Sequence, residues 1–265
     1  MLAKSSVSLK TISRLRVGGT AKKVYYPETI TEFVELLKKY PKAVIIGGGS
    51  NVFFADRTFA VIIITAKLNK LTKSGARSYW AECGVPLPKL FSFAAGVPAT
   101  VGGGLWMNFG AFRREIQEFV EQVEIYDLKK KQVTTLAKKE IHFGYRHASF
   151  EKNKQIILRA KFTQKYLLNS KKLLKLRQTN MPYDKPNIGS IFRNPQAGPA
   201  GYFIEAAGLK EYSVGNAMVS PKHANIIINT GNATANDVIN LIKKIQNIVK
   251  AKFNVELKPE VKYVK

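Results

Sequence analysis

The sequence is poor in the groups that bind metals and close disulfides: one cysteine, Cys83, and three histidines among 265 residues. A single thiol excludes an internal disulfide, and a metal site would have to draw on three imidazoles and the carboxylates. Acidic residues are scarce too, 18 Asp and Glu against 43 Lys and Arg, which leaves a formal charge of +25. No run approaches the roughly 18 consecutive apolar residues that a membrane span needs. The opening MLAKSSVSLK has no unbroken apolar stretch after Lys4, so it does not read as a secretory leader. These absences predict a cytoplasmic protein with no metal and no membrane insertion.

What is present is the composition of a globular protein, 45% hydrophobic and 23% charged, in a chain long enough for two or three modules. The charge alone would suggest nucleic acid or another polyanion. Its distribution points to a lysine-rich surface instead: the basic residues are scattered as pairs such as Lys22-Lys23, Lys38-Lys39, Lys138-Lys139 and Lys243-Lys244. The densest run, Lys171 to Arg177, is interleaved with leucines, as in an amphipathic helix. Single-strand binding would need clustered cations with stacking aromatics, and that pattern is not seen. No nucleic-acid partner is expected, although a small anionic ligand would still be drawn by this field.

Helix and strand signals alternate along the chain. Thr29 and Glu32 are spaced as a capping box, and Ile30, Phe33, Leu36 and Leu37 make one apolar face before Pro41. Short β-branched strands are predicted at Val44 to Ile46 and Val61 to Ile64, with no long helix between them. Strand-like runs follow at Phe119 to Tyr126, Ile156 to Phe162 and Ile226 to Ile228, and TNMPYDKPN reads as a connection between modules. Thr234 and Asp237 cap a last helix whose face is Val238, Leu241, Ile242, Ile245 and Val249. The whole reads as α+β.

Two glycine-rich stretches stand out. VIIGGGSN, residues 44 to 51, follows a strand; its glycines let backbone N–H groups converge into a nest for phosphate oxygens, but it lacks the Lys-Ser/Thr of a P-loop. GVPATVGGGLWMN, residues 96 to 108, reads as a second loop, with Leu105, Trp106 and Met107 as core. Either could be a simple turn. Together, each closing on a polar side chain, they suit the long diphosphate-linked body of a cofactor such as FAD.

Three more segments carry chemistry: Arg146 in FGYRHASF, Ser190 in GSIFRNP and Glu260 in LKPEVKYV. Each has a plain structural reading as a surface arginine, a turn serine or a strand carboxylate, and spacing alone does not bring them together. With RVGG at 16–19, GGGSN at 47–51, GVPATVGG at 96–103, MNFGAF at 107–112, GYR at 144–146, AGYFIEAAGLK at 200–210, KHANIIIN at 222–229 and LKPEV at 257–261, this ordered set resembles the UDP-N-acetylenolpyruvoylglucosamine reductase family. The absence of a tyrosine-bearing insertion between Asn194 and Ala200 resembles its compact subgroup.

The resemblance implies a two-subdomain FAD-binding fold of the vanillyl-alcohol-oxidase type over 1–66 and 67–177, followed by an α+β substrate-binding domain over 178–265. It implies an NADPH-dependent oxidoreductase of peptidoglycan synthesis. Its substrate would be UDP-N-acetylglucosamine enolpyruvate, with hydride delivered to C3 and a proton to C2. Arg146 would polarise the substrate carboxylate, Ser190 would act as general acid and Glu260 would support the enol. Gly47, Gly48, Gly49, Ser50, Asn51, Thr100, Val101, Gly102, Gly103 and Asn108 would face the FAD. Tyr145, Arg193 and Asn194 would contact substrate, with Lys210 and His223 toward its uridine diphosphate. His142 and His147 match no motif histidine with a role, and no oligomeric state is implied. Two alternatives remain open at this point: another FAD-dependent oxidoreductase of the same fold, and a basic nucleic-acid-binding protein.

Overall fold

The computed structural model describes residues 1–163 and 165–265. The chain divides into two compact units, each discontinuous. Met1–Ser5, Lys22–Gly48 and Ala60–Lys175 form unit one; Ser6–Ala21, Gly49–Phe59 and Leu176–Lys265 form unit two. Among the described residues no helix is long and apolar enough to cross a membrane.

The first helix of unit one is α1 (Ile30–Lys39). Thr29 Oγ1 accepts the Glu32 N–H at 3.2 Å, as the sequence predicts, while the Glu32 carboxylate reaches back one residue further to the Glu28 N–H at 2.8 Å. Phe33, Leu36 and Leu37 are buried. The Val44–Ile46 strand pairs in parallel with Ile62 to Ile64. A five-stranded antiparallel sheet runs in the order Gln132–Ala137, Val120–Asp127, Gln155–Phe162, Ser78–Glu82, Leu71–Ser74. Phe91 anchors the core with ring centroids 5.3, 5.0 and 5.2 Å from Phe93, Phe119 and Phe162, separations at which aromatic pairs attract beyond their area burial.

The second glycine-rich stretch is not a loop. Val101–Trp106 is a short helix, α2, with Thr100 at its N-cap. Glycine is a poor helix former, and packing explains its presence: a Cβ on Gly102 would lie 2.9 Å from Cys83 Cβ, and one on Gly104 would lie 2.6 Å from Leu87 Cδ1. The helix lies too close to its neighbours for side chains there. Leu105 is buried, whereas Trp106 and Met107 are half-buried. A single turn, α3 (Phe150–Asn153), precedes the Gln155–Phe162 strand.

The basic run is helical as expected, forming α4 (Ser170–Asn180), but none of its residues is buried. At about 100° per residue, Arg177 projects between Leu173 and Leu174, so a charge splits the leucine stripe and no apolar face forms.

Unit two holds an antiparallel sheet in the order Asn187–Ser190, Ile226–Asn229, Ala217–Val219, Ser213–Val214, with α5 (Ala200–Ala206) and α6 (Ala235–Phe253). The α6 capping box is complete: Thr234 Oγ1 accepts from the Asp237 N–H at 3.1 Å and Asp237 accepts from the Thr234 N–H at 2.9 Å. Its predicted face, Val238, Leu241, Ile242, Ile245 and Val249, is buried in the unit-two core. The Lys262–Val264 strand runs parallel to Val52–Phe54.

Candidate active site

In unit one the two glycine-rich segments meet. A Cβ on Gly47 would fall 2.3 Å from Thr100 Oγ1, and one on Gly48 would fall 2.0 Å from the Pro98 carbonyl oxygen. Only glycine lets these backbones pass so closely. Thr100 is 6% exposed. Its hydroxyl does not cap α2, as an N-cap threonine ordinarily would, and Oγ1 is buried with no hydrogen-bond partner among the described residues. An unsatisfied buried hydroxyl is costly, and it marks a place where a polar ligand would be stabilised. The N–H groups of Val101 and Gly102 are already engaged by the carbonyls of Val85 and Cys83, at 2.9 and 2.8 Å. Those two residues therefore shape the cradle, and their amides face the fold. Gly103 is the exposed glycine of α2.

Arg146 is carried on the turn between the two-residue strands Phe143–Gly144 and His147–Ala148. Its φ of +54° is left-handed, a conformation uncommon outside glycine. The guanidinium donates from Nη2 to the Gly110 carbonyl at 2.8 Å and stands 5.0 Å from the centroid of the Tyr145 ring. Tyr145 is 48% exposed. Asn108 is fully buried, with its Nδ2 donating to Glu115 Oε2 at 2.9 Å and to the Gly144 carbonyl at 3.0 Å. His142 and His147 are both exposed.

In unit two the segments GSIFRNP and LKPEV lie side by side. Phe192 bridges Pro259 in antiparallel fashion, Arg193 N–H donates to the Lys258 carbonyl at 2.9 Å, and Glu260 N–H donates to the Ile191 carbonyl at 2.7 Å. Two catalytic candidates 70 positions apart are thus brought together: Glu260 is bonded to the residue that follows Ser190. Gly189, at φ +75°, accompanies a register shift between Asn187 and Ser190, the kind of irregularity that re-aims a side chain at a strand end. Asn51, closing the first glycine-rich segment, donates from Nδ2 to the Glu260 carbonyl at 3.2 Å and accepts the Lys262 N–H on its own carbonyl at 2.9 Å. Gly49 accepts the Arg14 N–H at 3.2 Å, and half-buried Ser50 links it to Asn51.

A cleft of about 350 Å³ opens in unit two, lined by Ser190, Asn194, Tyr202, Glu205, His223 and Asn225 among others. Asn194 Oδ1 accepts the Ala200 N–H at 3.0 Å and so holds the loop into α5. The Arg193 Nε is buried and has no hydrogen-bond partner among the described residues. Lys210 is paired at 2.6 Å with Glu205, which lines the cleft, so that carboxylate offsets its charge there. His223 Nδ1 accepts the Asn225 N–H at 3.2 Å, which leaves the proton of the neutral ring on Nε2. Burial lowers its pKa, and Lys210 adds to the shift.

Residues that the sequence left unassigned complete the frame. Asn225, 4% exposed, donates from Nδ2 to the Phe192 carbonyl at 2.8 Å and accepts the Phe192 N–H on Oδ1 at 3.0 Å, while its own carbonyl takes the Ile191 N–H at 2.9 Å. Glu115 holds Asn108, and Tyr202 and Glu205 line the cleft. Nothing in single-sequence spacing separates these from ordinary polar residues.

The family model for the UDP-N-acetylenolpyruvoylglucosamine reductase C-terminal domain matches residues 181–264. The chain is similar to the UDP-N-acetylenolpyruvoylglucosamine reductase of Caldicellulosiruptor saccharolyticus, at 34% identity over 97% of this chain and 90% of that one. It is also similar to the reductase of the same name from Francisella tularensis, at 36% identity over 96% and 97%. Among solved structures, the crystal structure of the Thermus caldophilus reductase superposes with a TM-score of 0.81 at 28% identity, over the whole of both chains. Identity of this degree, sustained end to end over relatives that share one name and over the same fold, means that the chain belongs to the UDP-N-acetylenolpyruvoylglucosamine reductase family.

Proposed function

We propose that the protein reduces the enolpyruvyl group of UDP-N-acetylglucosamine enolpyruvate to UDP-N-acetylmuramate, with FAD as cofactor and NADPH as reductant. The observation that carries the catalytic assignment is the antiparallel pairing of Phe192 with Pro259, which bonds Glu260 to Ile191, the residue next to Ser190 on the wall of the unit-two cleft. The unit-one cradle fits FAD: Gly47 and Gly48 let the two glycine-rich segments close on one another, Gly103 is left open beside them, and the orphaned Thr100 hydroxyl gives a ligand a polar contact. Gly49, Ser50 and Asn51 continue that wall in the sequence. When bound and reduced, FAD supplies the hydride that adds to C3 of the enolpyruvyl group.

The residues of the chain manage the charge and the proton. As C3 gains hydride, negative charge grows on C2 and the adjoining carboxylate, and a fixed guanidinium there stabilises it. Arg146 suits this task because its planar fork of donors matches the two oxygens of a carboxylate. Ser190 delivers the proton to C2 from Oγ. An alcohol is a weak acid, but the carbanion is a far stronger base, so position matters more than pKa. Glu260 stabilises the enol form by sharing a hydrogen bond with it. In this reading residues 178–265 form the substrate-binding module, where Asn194, Arg193 and the Nε2–H of His223 hold the anionic end of the substrate.

Anaerobic stopped-flow separates the two half-reactions. Ser190→Ala is expected to leave NADPH-driven bleaching of the flavin nearly intact and to slow reoxidation by the enolpyruvyl substrate by roughly 10²-fold or more. Equal slowing of both halves would remove Ser190 from the chemistry.

A further inference from the structure

Asn108 was expected to face the cofactor, yet its side chain is wholly inside unit one and its amide is committed to protein groups. Two short hairpins meet at that amide. One, Gly110–Ala111 paired with Arg114–Glu115, presents the Gly110 carbonyl that accepts from Arg146 Nη2 at 2.8 Å. The other, Phe143–Gly144 paired with His147–Ala148, carries Arg146 on its turn. Asn108 Nδ2 donates to Glu115 Oε2 on the first hairpin at 2.9 Å and to the Gly144 carbonyl on the second at 3.0 Å, and Oδ1 takes the Gln117 N–H at 3.4 Å. Gly110 is wedged into the same joint: a Cβ there would lie 2.9 Å from Glu115 Cγ and 3.0 Å from Arg146 Nη1.

We infer that Asn108, through Glu115 and the Gly144 carbonyl, is a positioning residue that fixes where the Arg146 guanidinium stands. A two-residue hairpin has almost no hydrogen bonding of its own to hold its turn, and an arginine on a long side chain is precise only if its anchor is. One buried amide pinning both the hairpin that bears the guanidinium and the hairpin that receives it removes that freedom. The φ of +47° at Asn108, which asparagine tolerates better than most residues, turns the chain out of α2 so that the amide can reach both. Asn108 touches neither substrate nor cofactor in this account. The inference rests on the assignment of Arg146 to the substrate carboxylate.

The test uses the FAD-loaded enzyme with Asn108→Gly, which keeps the left-handed backbone and deletes the clamp, and Asn108→Asp, which replaces both donors by an acceptor. Arg146→Lys is measured in parallel. Displacement of a binding group by about an ångström costs on the order of 10²-fold, so both Asn108 variants should slow reoxidation by the enolpyruvyl substrate at least about tenfold while flavin reduction by NADPH stays within about twofold. Calorimetry gives a readout that a merely structural role would not move: UDP-N-acetylmuramate, which carries the carboxylate, should bind more weakly to the Asn108 variants, and UDP-N-acetylglucosamine, which lacks it, should bind as before. Should either variant fail to fold, Glu115→Gln, which keeps an acceptor for the amide, is expected to show a smaller loss with the same selectivity. Loss of FAD from the Asn108 variants, or equal weakening of both ligands, would overturn the inference. If Arg146→Lys shows the selective loss and the Asn108 variants do not, the positioning role alone fails; if Arg146→Lys shows no selective loss, the assignment of Arg146 fails instead.

Discussion

The ring of His223 is half-buried in the unit-two cleft, and burial is the main reason its pKa falls below the ordinary 6.5. The unfolded chain takes up this proton near pH 6.5 and the folded chain only at lower pH. Below the ordinary value the unfolded state therefore binds more protons, and stability rises with pH through that window. The contribution is complete above 6.5 and is lost as pH falls through the folded value. His223→Gln should flatten the dependence, so that the fall in melting temperature from about pH 7.5 to about pH 5.5 is smaller than in the parent protein. An identical slope would mean that the ring titrates without strain in the fold. At this scale the sequence was uneven as a guide. Ser190, Arg146 and Glu260 are legible only because their motifs occur in family order, while buried Asn225 and half-buried Glu115 look like any polar residue until the hydrogen bonds are traced. A buried amide is recognised by what it bonds, and those partners lie 33 residues away for Asn225 and Phe192.

Elements with a strong period were readable, and those shaped by a neighbour were not. The apolar faces of α1 and α6 and their N-caps follow from residue spacing, since amphipathic burial dominates helix stability. Helix α2 defeated the same approach because three glycines argue for a loop, and only Cys83 and Leu87 pressed against it make a helix without side chains the better solution. Substitution distinguishes the two causes. Gly102→Ala gains about 1 kcal/mol of helix propensity but places a Cβ 2.9 Å from that of Cys83, and overpacking between two rigid backbones costs about 1–3 kcal/mol. A net loss of stability is expected. At Gly103 the nearest atom to a new Cβ is 3.7 Å away, an ordinary contact, so Gly103→Ala should stabilise by up to about 1 kcal/mol. Thermal denaturation after removal of the flavin compares the pair without any contribution from cofactor affinity; the same sign for both would refute the packing explanation.

For the molecule as a whole the unabsorbed feature is the charge of +25. Its acidic residues are largely engaged locally, as in Glu124 with Arg159 and Glu121 with Lys161, and 18 of them cannot neutralise 43 cations. The excess acts on encounter. NADPH and a uridine diphosphate sugar are both anionic, and a large net positive charge raises their local concentration and their rate of capture. Salt shortens the reach of that field, from a Debye length of about 10 Å at 0.1 M to about 3 Å at 1 M. The kcat/KM for both ligands should therefore fall by about tenfold or more over that range, while kcat, set after capture, changes little. Reoxidation of the reduced flavin by dissolved oxygen supplies the control, because a neutral oxidant feels no steering and its second-order rate constant should stay flat. If oxygen and the two anions respond to salt alike, ionic strength acts on the fold or the flavin, and the lysines have no part in substrate capture.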